Sequence, residues 1–169
     1  MTYPEIRLGA EHIAFCERIG RGRYASAVKR DLKHGAPKGE MAHIEGVLAE
    51  CAAYLIYRPI VWSAYETRLD QPDLDDFIDV KWRGKTHHKL IVGEKGRHEW
   101  AYLLVCGSAH PLYRLIGWEW GEAAMQPKWL DLANHTPAYY LPESALRHPG
   151  SLLSEIRSRQ AARSKGVAL

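Results

Sequence analysis

The chain predicts an α/β fold in which a central, mixed and mostly antiparallel sheet is flanked by helices, and three observations carry that reading. Residues 41–57 set Ile44, Val47, Leu48, Cys51 and Leu55 at three- and four-residue steps, the spacing of one helical face. Runs rich in β-branched and aromatic side chains follow at 60–65, 77–82, 88–92, 100–106 and 112–120. Helical spacing returns near both ends. Strands in succession, rather than alternating with helices, fit a helix-backed sheet better than a doubly wound one.

In order, residues 8–33 carry Ile13, Ala14, Ala25, Val28 and Leu32 at loosely helical spacing. Gly20 and Gly22 weaken the middle, since glycine costs about 1 kcal/mol against alanine inside a helix, so two helices or one kinked helix are expected. Glycine and proline make residues 34–39 a loop. Helix 41–57 stops at Pro59. Gly93-Glu94-Lys95-Gly96 has hairpin chemistry and is expected to join the strands on either side of it. Residues 121–125 suit a helical turn, and Tyr139-Tyr140-Leu141 an added edge strand. A last helix spans about 151–165, with Ser151 as N-cap and Leu152, Leu153 and Ile156 as its apolar anchor.

The 169 residues suit one domain, with a core at about 41–148, able to bury roughly 70% of the unfolded chain's surface. No apolar run approaches the roughly 20 residues that span a bilayer, and the first residues do not read as a signal peptide, so a cytoplasmic protein without a membrane partner is expected. Cys16, Cys51 and Cys106 are odd in number, widely spaced and set in apolar sequence, which suits reduced core thiols better than disulfides or a zinc site. The net charge of +3 and the pI near 8.7 permit nucleic-acid binding without demanding it. Arg18, Arg21, Arg23, Lys29, Arg30 and Lys33 crowd the start and Arg157, Arg159, Arg163 and Lys165 the end, either as phosphate-attracting arms or as solvated helix faces.

The chemistry concentrates between residues 71 and 83. Asp73, Asp75, Asp76, Asp79 and Lys81 lie within nine residues, between an apolar helix and apolar strands. Strand alternation sends Ile78, Val80 and Trp82 to one face and Asp79, Lys81 and Arg83 to the other. Burying a lone carboxylate or ammonium is expensive, but a carboxylate beside a divalent cation and a lysine beside a phosphate are each compensated. Asp79 would therefore bind Mg²⁺, with Mn²⁺ as a substitute, while Lys81 orients or deprotonates a water and stabilises developing charge. Asp73, Glu50 and the Val80 carbonyl complete an all-oxygen ligand set, with Asp75 and Asp76 as alternates for Asp73 and Glu45 as the alternate for Glu50. Glu45 and Glu50 sit on opposite flanks of their helix, so one of them faces any given site.

Pro72-Asp73, a short gap and Asp79-Val80-Lys81, preceded by a helix bearing Glu50, resemble the signature of the PD-(D/E)XK nuclease superfamily, the restriction-endonuclease-like fold. The order of Ile44 to Ala52, Asp73 to Arg83, His88 to Val92, Leu103 to Gly107, Gly117-Trp118 and Tyr139 to Pro142 is similar to small phage and prophage proteins of that type. The resemblance implies a mixed sheet flanked by helices, Mg²⁺-dependent hydrolysis of DNA by an endonuclease, metal ligation by Asp73, Asp79 and Glu50, a catalytic Lys81, and a bacterial or phage-infected host cell. The sequence departs from the pattern in its short gap and in having Asp rather than Glu open the acid-x-Lys motif.

Arg83, Lys85 and His88 are the expected nucleic-acid contacts. Trp62, Trp82, Trp100, Trp118, Trp120 and Trp129 read as core aromatics before base-stacking platforms. A homodimer would suit two-strand cutting. A non-catalytic DNA-binding or assembly protein on the same fold, and a nuclease acting on RNA, are the alternatives.

Overall fold

The computed structural model describes residues 2–29, 39–58, 62, 64, 71–85, 89–107, 111–133 and 137–164. A short strand, β1 (Glu5–Arg7), leads into α1 (Ala10–Lys29) and α2 (Glu40–Ile56). The strands β2 (Ile78–Arg83), β3 (Leu90–Gly93), β4 (Ala101–Cys106) and β5 (Leu112–Trp120) follow, then the helical turn α3 (Gly121–Ala124), β6 (Leu130–Asp131), β7 (Ala138–Leu141) and α4 (Leu152–Ser164).

The fold is α/β, but its strands form two sheets. The larger has the order β1-β5-β4-β2, with β2 and β4 parallel and the other pairs antiparallel; the smaller, β3-β7-β6, is antiparallel throughout. The expected hairpin across residues 93–96 therefore does not form. Its turn closes, Gly96 N–H donating to the Gly93 carbonyl at 2.8 Å, but β3 and β4 depart into different sheets. Nor is 139–141 an edge: β7 is the middle strand of the smaller sheet. The very short β1 and β6 lack the alternation that would mark them in sequence.

The larger sheet separates two apolar layers. On one face Ala101, Leu103, Val105, Tyr113, Leu115, Trp118 and Trp120 pack with α1, α2 and α4; on the other Tyr102, Leu104, Cys106 and Ile116 pack with Leu90, Val92 and Leu141 of the smaller sheet. Tyr113 and Leu115 share a face with Trp118 and Trp120 despite their opposite parity because the register shifts at Leu104/Val105, leaving Ile116 as the extra residue of a β-bulge. Gly117 beside it is tightly packed: a Cβ there would lie 2.6 Å from the Leu146 Cβ.

The first helix is continuous through Gly20 and Gly22. Gly20 is where the two long helices cross, since a Cβ at that position would sit 2.6 Å from the Ile44 Cα, and this close approach offsets the propensity penalty. The second helix is buried on far more than one stripe, with Ala49, Ala52, Ala53, Glu45 and Glu50 enclosed along with Ile44, Val47, Leu48 and Cys51. Ser151 does not cap α4. It lies in a 3₁₀ turn, where its hydroxyl accepts from Trp118 Nε1 at 3.1 Å and donates to the His148 carbonyl at 2.9 Å. All three cysteines are buried and free. Among the described residues no helix is long and apolar enough to cross a membrane. Of the expected strand at 60–65 only Trp62 and Ala64 are described, and Trp62 bridges to Leu74.

Candidate metal and phosphodiester site

The second strand is an outer strand of the larger sheet, and its backbone explains what gathers there. Bonds toward β4 use the carbonyls of Phe77 and Arg83, so the even-numbered residues present their backbone groups to the opposite edge. Ile78 exchanges both backbone bonds with Leu74, at 2.9 and 3.0 Å. Val80 N–H donates to Asp73 Oδ2 at 2.8 Å. By strand alternation the Val80 carbonyl faces the same edge.

Between Leu74 and Ile78 the chain makes a tight turn, with Asp75 in the left-handed region at φ 52°. Aspartate tolerates that conformation better than most residues. Asp75 and Asp76 are exposed in this turn, which leaves Asp73 as the aspartate of the segment that is joined to the strand.

Asp79 and Lys81 leave β2 on the face of Tyr102 and Leu104, with Lys81 Nζ 2.7 Å from Asp79 Oδ2 and 5.7 Å from the Tyr102 ring centroid. The Asp73 and Asp79 carboxyls lie close enough for the charge of one to act on the other. Burial first, then the nearby charges of Glu50 and Asp79, push the Asp73 carboxyl well above the usual carboxylate range, so it holds a proton where an ordinary aspartate would not. Burial draws the Lys81 ammonium down, but Asp79 and Asp73 outweigh it and raise the group overall.

Glu50 reaches this neighbourhood from α2 with both oxygens engaged. Arg23 grips it in a fork, at 2.5 and 2.9 Å, and Trp62 Nε1 donates to it at 3.0 Å. Arg23 also donates to the Ala64 carbonyl at 2.9 Å, while its Nε is buried without a partner. The sequence leaves Arg23 either a phosphate-attracting arm or part of a solvated helix face; it is instead part of this centre. The signal was present, because Cys16, Ile19, Gly20 and Arg23 fall at i, i+3, i+4 and i+7, the buried face of α1.

Three of the expected residues, Asp73, Asp79 and Lys81, thus meet, with the Val80 carbonyl on the same edge. Glu50 is near enough for its charge to act on Asp73 but is tied to Arg23. Glu45, on the other flank of α2, accepts from the Tyr113 hydroxyl at 2.6 Å and lines a different cavity. Arg83 ends the same strand, its Nη1 donating to the Trp82 carbonyl, and Lys85 lies exposed just beyond it. His88 lies outside the described residues. Trp118 and Trp120 pack edge to face in the core, centroids 5.4 Å apart.

Among the described residues no three His, Cys, Asp or Glu side chains converge as a ready metal cage. The donor chemistry nevertheless suits a hard cation, since Mg²⁺ is commonly bound by one or two carboxylates and keeps several waters. Asp73 and Asp79, whose charges act on one another, supply such carboxylates. Compared with family models, curated proteins and solved structures, the chain gives no match.

Proposed function

We propose that the chain is a Mg²⁺-dependent nuclease that hydrolyses DNA phosphodiesters at the edge of β2, on a restriction-endonuclease-like core of the PD-(D/E)XK type. The observation that supports this reading most is the meeting of Asp73 with Asp79 and Lys81. Nothing in the packing of a sheet edge calls for two mutually repelling carboxyls, and a divalent cation relieves them better than a proton does.

Asp73, Asp79 and the Val80 carbonyl would hold the ion, with Glu50 as an outer partner once Arg23 releases it. A bound Mg²⁺ supplies Lewis acidity toward a phosphate oxygen and favours deprotonation of a water. Lys81 keeps its ammonium within reach of both acids, where it orients the attacking water and stabilises charge developing on the phosphoryl oxygens. Arg83 at the end of the strand and exposed Lys85 just beyond it hold the DNA backbone. One such centre cuts one strand, so a two-strand cut asks for a second copy of the chain.

Incubating the purified protein with plasmid, with Mg²⁺ and with chelator, tests the proposal. Conversion of the supercoiled form only with Mg²⁺, lowered about 10²–10⁴-fold in Lys81→Ala, is the expected result; untouched DNA, or an equally active Lys81→Ala protein, overturns it. One observation favours a second reading, a non-catalytic DNA-binding or assembly protein: Glu50 and Asp79 are already paired with Arg23 and Lys81. Salt-sensitive DNA binding with no Mg²⁺ uptake by calorimetry would select it. Competition between DNA and RNA substrates decides which nucleic acid is cut.

A further inference from the structure

A second cavity opens where the start of α2 meets the end of β2, lined by Gly39, Met41, Ala42, Glu45, Trp82, Gly84 and Lys85, with a volume of about 560 Å³. Two of those side chains, Trp82 and Glu45, have chemistry that the edge site does not use, and Lys85 is shared with it. Trp82 packs one side against the helical core, and its Nε1 donates to the Gly107 carbonyl at 3.1 Å, so the indole is fixed in orientation. Gly84 lines the cavity beside the half-buried indole, and a Cβ there would lie 3.9 Å from Trp82 Cζ2. Glu45 is a buried carboxylate held by the Tyr113 hydroxyl, and Lys85 is exposed.

We propose that this cavity takes one unpaired nucleobase together with its phosphate. An immobile indole offers a stacking face for a planar ring. A carboxylate only accepts hydrogen bonds, so Glu45 favours a base edge that presents N–H donors, the amino groups of adenine, cytosine and guanine or the N3–H of thymine. Lys85 at the rim takes the phosphate, and the volume lies within the range of about 300–1,000 Å³ usual for small-ligand sites. Lys81 and Trp82 leave opposite faces of β2, the outer strand of its sheet, and Lys81 to Gly84 spans about 10 Å of chain, so a nucleic-acid strand that reaches both sites passes around the sheet edge. The substrate is then single-stranded or locally unpaired beside the reacting phosphodiester. This extends the nuclease reading to its substrate class, but the binding itself needs no metal.

The probe is a single-stranded oligonucleotide carrying 2-aminopurine, a fluorescent base quenched by stacking, titrated with wild-type protein in chelator. Quenching on binding is expected, with at least about tenfold weaker binding in Gly84→Leu, which covers the indole and removes no contact. Lys85→Glu should weaken binding similarly. Replacing the probed nucleotide by an abasic one should weaken it in the wild-type protein, a measurement that needs no variant to fold. Absence of quenching, equal affinity for the abasic strand, or unaltered binding by a folded Gly84→Leu protein overturns the proposal. Base binding without plasmid cleavage would retire the nuclease reading alone, and cleavage without base discrimination would retire this one alone.

Discussion

Glu50 and Asp73 belong to one acidic centre, yet one is neutralised by a cation and the other by a proton. Arg23 and Trp62 satisfy both oxygens of Glu50, whereas Asp73 receives one backbone N–H and faces the carboxyl of Asp79. The helical half of the centre is complete by itself. The strand half has Lys81 paired with Asp79, but its second acid, Asp73, is pushed toward its protonated form. Architecture and reactivity are thereby divided between neighbouring carboxylates.

The largest expected effect breaks the complete half. Arg23→Ala would leave Glu50 buried and uncompensated, and loss of one partner of a buried pair typically destabilises by about 3–5 kcal/mol; urea unfolding measures it. A loss below about 1 kcal/mol would mean that the fork contributes little more than a surface pair.

A smaller effect sharpens the other half through pH. Because the folded state raises the Asp73 pKa, it binds that proton more tightly than the unfolded chain does. The resulting stability is complete below the ordinary aspartate range and declines as pH rises through the elevated value. Without metal, the wild-type protein should therefore lose stability between acid and neutral pH by more than Asp73→Asn does, and Mg²⁺ should restore it in the wild type only. Melts at two pH values, with and without Mg²⁺, make the comparison; identical profiles for the two proteins would dissolve the contrast with Glu50. Least affected should be Asp76→Ala, an exposed turn position that should leave both DNA cleavage and melting unchanged.

Much of this centre was legible from alternation alone. Period two put Asp79 and Lys81 side by side, and a rotation of about 100° per residue separated Glu45 from Glu50. What stayed hidden was tertiary. The turn that removes Asp75 and Asp76 depends on a backbone exchange between Leu74 and Ile78, and the fork on Glu50 joins residues 27 apart. The second sheet was missed because pairing partners leave little trace in a single strand: a run of β-formers at 88–92 reads the same whichever neighbour it bonds. Helix α2 was read as striped because alanine and glutamate count as weakly apolar or polar, yet both are enclosed when helices and sheet surround it.

The bulge at Ile116 has a hereditary consequence. Because side-chain direction repeats every two residues, this one inserted residue decides which layer receives the indoles of Trp118 and Trp120. Losing a single codon there would turn both rings out of the helical layer while leaving composition and strand propensity almost untouched. Among chains descended from a common ancestor, conservative exchanges along β5 should therefore be tolerated more readily than any change in its length.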